Sequence, residues 1–92
     1  MKQLFKVVKC GEMYSVRSEK SEGGTLQKRN IVLRELGGKY AQTYAAEVIG
    51  NGASAVFDEG EYVFGVLKFH VYEAPDGRAY QNVTMADFVK LP

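Results

Sequence analysis

Between Tyr62 and Tyr72 the chain places Tyr62, Phe64, Val66, Lys68, His70 and Tyr72 at every second position. In a strand these six side chains share one face, because successive residues point to opposite sides. Aromatic rings and cations on one face suit a single-stranded nucleic acid, the rings stacking on bases while the cations meet phosphates. The Tyr62, Phe64 and Val66 part of that face is equally suited to being covered by a second subunit, since contiguous exposed apolar surface marks interfaces. Both uses stay open for these three residues; for Lys68, His70 and Tyr72 the groove is favoured. In the segment Leu26–Leu36, Ile31 and Leu33 form the inward register, which leaves Lys28, Asn30, Val32 and Arg34 outward. Lys28 and Arg34 are phosphate-contact candidates, the plain alternative being solvated strand residues that discourage aggregation. Tyr44 shares a register with Ala46 and Val48 and serves equally as core residue or stacking platform. Arg78 and Tyr80, at the base of the Pro75-Asp76-Gly77 turn, complete the candidate set.

Catalysis finds no comparable set of groups. His70 is the one histidine and Cys10 the one cysteine, so no second histidine completes a metal site and no companion activates the thiol. No nucleophile-elbow sequence occurs, and the glycines fall at turns instead of forming a phosphate loop. Asp58, Glu59 and Glu61 read as a solvated acidic turn. The expectation is a protein that is not an enzyme and needs neither metal nor cofactor.

These candidates have to be positioned by a small body. The chain has 92 residues, 46% of them hydrophobic and 25% charged, which is one globular domain spanning 1–92. The lone cysteine forms no internal disulfide, and no apolar run approaches the ~20 residues that cross a bilayer. A cytoplasmic protein is expected. The formal charge is +1, yet residues 1–39 carry nine Lys/Arg against four Glu, and residues 40–92 carry three against seven Asp/Glu. A β protein interleaves its halves in space, so this asymmetry predicts a basic face only weakly.

Period-two alternation dominates the chain. Leu4 to Arg17 reads as one long strand kinked at Gly11, and Ser18–Thr25 (SEKSEGGT) as an exposed loop carrying Lys20. That loop is a clamp candidate, though an inert connection is the favoured reading. Leu26–Leu36 is a second strand, Gly37-Gly38-Lys39 a tight turn and Tyr40–Ile49 a third strand, forming a hairpin. The stretch Ala53–Phe57 is helix-compatible but ends at Gly60 after little more than a turn. Glu61–Glu73 is the strongest strand, with Val63, Gly65, Leu67, Phe69 and Val71 assigned inward. Ala74-Pro75-Asp76-Gly77 then turns into a last strand, Arg78–Leu91.

Three strands, a short helix and two strands predict an all-β protein: a five-stranded Greek-key OB-fold barrel with one short helix between strands three and four. An SH3-like barrel is the runner-up, but it has no helical turn at that place. The chain then resembles the bacterial single-stranded DNA-binding protein and primosomal replication protein N group, and more closely their small OB-fold relatives. The residues that carry the resemblance are Val48-Ile49-Gly50, the stretch Ala53–Phe57, Glu59-Gly60 and Tyr62-Val63-Phe64-Gly65-Val66-Leu67. Lys28-Arg29 and Arg78–Met85 (RAYQNVTM) add to it, and the match covers about Lys28–Leu91. It implies single-stranded DNA or RNA as partner, a homodimer or homotetramer, and the binding core without the acidic-tipped recruiting tail of that family. Lys28, Arg34, Tyr44, Phe64, Lys68, His70, Tyr72, Arg78 and Tyr80 are the expected nucleic-acid-binding residues. The competing expectation is an OB-fold interaction module that never meets nucleic acid.

Overall fold

In the computed structural model, which describes residues 1–18 and 22–91, five strands follow one another along the chain. They are β1 (Lys2–Arg17), β2 (Thr25–Glu35), β3 (Thr43–Ile49), β4 (Tyr62–Glu73) and β5 (Ala79–Lys90). They form one sheet in the order β1-β2-β3-β5-β4, and β1 pairs again with β4 to close the ring. All neighbours are antiparallel except β3 and β5, whose parallel pairing is confined to Glu47 and Thr84. The inward residues fill the ring: Phe5 and Val7 from β1, Ile31 and Leu33 from β2, Ala46 and Val48 from β3, Val63 and Leu67 from β4, and Met85 from β5. Gly65 lies in the same inward register, and a Cβ built there would sit 3.0 Å from Met85 Sδ. A side chain at this position would therefore have to displace Met85 by a few tenths of an ångström.

The kink expected at Gly11 is present. The β1–β2 register shifts between Val7 and Lys9 and again between Cys10 and Met13, the signature of extra residues that bend one strand against its partner. These shifts let a 16-residue strand serve β4 at its start and β2 along the rest. The clamp assigned to the Ser18–Thr25 loop turns on Lys20, which lies outside the described residues; the loop re-enters through a 3₁₀ turn at Glu22–Gly24.

The helix expected at Ala53–Phe57 is instead a 3₁₀ turn at Gly50–Ser54. The Gly50-Asn51-Gly52 sequence disfavours an α-helix, so the chain takes the shorter i→i+3 spacing and closes the turn with the bond from Ala55 N–H to Gly52 O. Ala55 is already extended. Ala53 and Phe57 are nevertheless buried, with Phe57 edge-on to Phe88 at 5.1 Å, so this segment plugs one end of the ring. The third strand begins at Thr43, not Tyr40. Glu35 explains the wider turn: its N–H donates to Gln42 O, and its carboxylate accepts the Gln42 N–H at 3.0 Å. Tyr40 is left 85% exposed in the connection.

The inward register of β4 also stops earlier than expected. Val63, Gly65 and Leu67 are buried, but Phe69 and Val71 are exposed. β1 reaches only as far as Val66, through Lys2, and β3 meets β5 only at Thr84. Beyond these points, among the described residues, no third strand pairs with the β4–β5 hairpin, which leaves the ring as a two-stranded ribbon. Its tip is the Pro75-Asp76-Gly77 turn, where Gly77 takes φ 86° and Ala74 N–H donates to Arg78 O. That is a type I turn followed by a left-handed residue, a role glycine fills without strain. Among the described residues, no helix is long and apolar enough to cross a membrane.

Candidate nucleic-acid interface

Antiparallel pairing decides which ribbon residues share a face. Lys68 lies opposite Thr84, His70 opposite Asn82 and Tyr72 opposite Tyr80, and directly opposed residues point to the same side. All of these but Thr84, which is half-buried, are exposed. The His70 and Tyr72 rings meet edge to face at 4.4 Å between centroids, and Asn82 Nδ2 lies 3.5 Å from the Tyr72 hydroxyl. Two tyrosines, an imidazole and an ammonium therefore stand on one solvent-facing side of the ribbon. The reverse side carries Phe69, Val71 and Val83.

The rest of the outer surface continues around the ring. Lys28, Asn30, Val32 and Arg34 of β2 point outward beside Ile49, Glu47, Ala45 and Thr43 of β3. Where β3 and β5 separate, a groove of about 210 Å³ opens, bordered by Asn30, Val32, Ala45, Glu47 and Asn82. Ile31, Ala46 and Val83 also line it, so it is more apolar than polar, and Glu47 gives it a carboxylate.

The nine sequence candidates do not all gather here. Lys68, His70, Tyr72 and Tyr80 share the ribbon face, and Arg34 and Lys28 lie on the outer side of β2. Lys28 Nζ is held by Glu47 at 3.4 Å, half-buried, and Arg78 Nε by Asp76 at 3.4 Å, exposed. Each of these cations brings a carboxylate with it. Arg34 instead donates to Thr43 Oγ1 at 3.3 Å. Tyr44 takes the core side of its two alternatives: opposite buried Leu33, it packs edge-on to Phe5 at 6.2 Å and to Phe69 at 6.0 Å. Its hydroxyl donates to Gln42 Oε1. Phe64 belongs to a different patch, on the outer side of β4 between Leu4 of β1 and Val89 of β5.

Two cations missing from the candidate set sit beside Arg34. Lys6 is directly across from Arg34, and Lys9 across from Val32. The parity of Lys6 was legible, but Lys9 joins it only because the register shift after Val7 adds a residue and returns the odd position to the outer face. Among the described residues, neither lysine nor Arg34 nor Lys68 forms an ion pair. The positive excess of residues 1–39 thus survives as a basic outer face on β1 and β2.

Arg29, half of the Lys28-Arg29 pair, turns inward. It is 8% exposed; Nε donates to Ala53 O at 2.8 Å and Nη1 to Gly11 O at 2.7 Å. The guanidinium ties the kink of β1 to the 3₁₀ turn, so its role is architectural. Compared with known proteins, the chain matches no protein-family model and no curated protein.

Proposed function

We propose that this chain is an OB-type Greek-key barrel that binds single-stranded DNA with little sequence preference, in replication, recombination or mobile-element transfer. The strand order supports the fold, because β5 inserts between β3 and β4 while β1 closes the ring against β4. The thin β3–β5 seam matches a barrel that is partly open, and the binding surface of such barrels is the strand 2–3 face with its flanking loops. The observation that carries the function is the ribbon face: Tyr72 directly opposite Tyr80, with His70 and Lys68 in the same register. Half-exposed rings offer stacking surface, and the neighbouring ammonium offers a phosphate contact.

Titration of a labelled single-stranded oligonucleotide by fluorescence anisotropy tests this, with duplex of the same sequence as control. The chain should prefer the single strand. Tyr72→Ala should weaken binding by roughly 1–3 kcal/mol, the worth of one stacked base, while leaving the melting temperature nearly unchanged because the ring is 48% exposed. A second reading, an interaction module without nucleic acid, draws on the apolar outer patch around Phe64 and Val66. Absence of binding at low salt, where attraction is least screened, selects it.

A further inference from the structure

We propose that the seam between β3 and β5 is a docking site for an extended segment of another protein, which adds as a strand to the free edge of β5. Backbone parity identifies the free groups. At the ribbon tip Ala74 N–H donates to Arg78 O, and along an antiparallel ladder bonded and non-bonded pairs alternate. Tyr72 with Tyr80, His70 with Asn82 and Lys68 with Thr84 are therefore the bonded pairs of the ribbon. Ala79, Gln81 and Val83 turn their N–H and C=O groups the other way, toward β3. The same count on the other side starts from Glu35 N–H, which donates to Gln42 O. Tyr44 and Ala46 then bond to β2, so Thr43, Ala45 and Glu47 face β5. Among the described residues, β3 and β5 pair only where Glu47 meets Thr84. On the N-terminal side of that bridge, Thr43, Ala45, Ala79 and Gln81 present backbone groups to no partner strand. Edges of this kind are normally guarded by charged residues or proline, yet the run from Ala79 to Ala86 contains neither.

The groove of about 210 Å³ lies between these edges, with Ala45 and Glu47 on one wall and Gln81 and Val83 on the other. Its chemistry selects the occupant. Donors and acceptors that repeat at every second residue, about 6.8 Å apart, match the backbone of another extended chain, which is the basis of recognition by strand addition. Glu47 is the one charged residue lining the groove, so a phosphate backbone meets a carboxylate there and no cation. Side chains of the incoming strand alternate as those of β5 do. The ones beside Gln81 and Val83 fall on the reverse side of the ribbon, where Phe69 is 40% and Val71 60% exposed and Tyr44 packs against Phe69. Apolar side chains fit that side. The ones beside Tyr80 and Asn82 fall on the outer face, among polar groups. The partner segment is therefore an extended, neutral or basic stretch with apolar residues at alternate positions. It uses the backbone edge of β5 instead of the rings of Tyr72 and Tyr80, so this site does not rest on nucleic-acid binding.

Amide hydrogen exchange of the full chain, read by NMR with and without a synthetic peptide, tests the proposal. The peptide alternates valine with threonine and carries a lysine at each end; its control has proline at the centre. In the free chain the Tyr80 and Asn82 amides, bonded to β4, should exchange slowly and those of Ala79 and Gln81 fast. The alternating peptide should slow Ala79 and Gln81 roughly tenfold or more, and the control should not. Gln81→Pro removes a donor from the free edge, where proline is tolerated, and should weaken peptide binding roughly tenfold. Val71→Lys, which sets a cation among the apolar contacts, should weaken it as well. Both positions are exposed, and circular dichroism verifies that each variant is folded. Absence of peptide binding to the wild type, protection that falls on Phe69 and Val71 at the other edge of the ribbon, or unchanged binding in both variants would each overturn the proposal. So would slowing of Ala79 and Gln81 by an oligonucleotide, or by raising the concentration of the chain alone, since the edge then belongs to nucleic acid or to a second copy.

Discussion

Replacing Lys68 by methionine should reduce the salt dependence of single-strand binding by a calculable amount. For single strands, the slope of log K against log salt is about −0.7 per phosphate neutralised. Six cations lie on the ribbon or on the outer face where β1 pairs with β2: Lys6, Lys9, Lys28, Arg34, Lys68 and Arg78. Lys28 and Arg78 carry Glu47 and Asp76 with them. A phosphate arriving there meets a carboxylate whether or not the pair opens, and gains little net charge. Four cations remain, which sets the wild-type slope at about −2.8, against about −4.2 if pairing had no effect. Lys68→Met should then give about −2.1. The assay is the anisotropy titration repeated at four or five salt concentrations with one oligonucleotide. A wild-type slope steeper than about −4, or a slope unchanged in Lys68→Met, refutes the assignment of phosphate contacts to these groups.

Two further outcomes follow from the way the ring is held. Arg29→Met leaves the carbonyls of Gly11 and Ala53 without their charged donor; at roughly 1.5–3 kcal/mol for each bond to a charged group, the loss is about 3 kcal/mol or more. A thermal melt should fall by at least about 12 °C for a domain of this size, and a drop of only a degree or two contradicts the clamp. Glu35 is held below the ordinary carboxylate range, first by the Gln3 side-chain amide and then by the Gln42 N–H. A depressed folded-state pKa contributes stability that is present above the unfolded value and lost as pH falls through the folded one. Glu35→Gln should therefore be less stable than wild type near neutral pH and lose that deficit in acid. Denaturant unfolding at the two pH values checks this, and an equal gap at both rejects it.

How much of this was legible follows a physical division. The existence of five strands came from local alternation, and so did the faces of β2 and the outward row Tyr62 to Tyr72, because parity along a strand needs no knowledge of its neighbours. The turn at Pro75-Asp76-Gly77 was legible for the same reason, since turn chemistry is local, whereas the tight turn read at Gly37-Gly38-Lys39 is a wider connection between Glu35 and Thr43. Burial was not. Phe69 and Val71 continue the apolar register of Val63 and Leu67, yet they are exposed because β1 ends opposite Val66, a fact of pairing length that no window along β4 contains. Lys9 reached the basic face through a register shift between two strands. Arg29 reads as one more surface cation until the kink at Gly11 and the turn at Ala53 converge on it. The sequence by itself determined which residues alternate, where the chain turns and which side chains are able to stack or carry charge. Only the tertiary structure decided which of them share a surface, because register, strand length and ring closure depend on segments far apart in the chain.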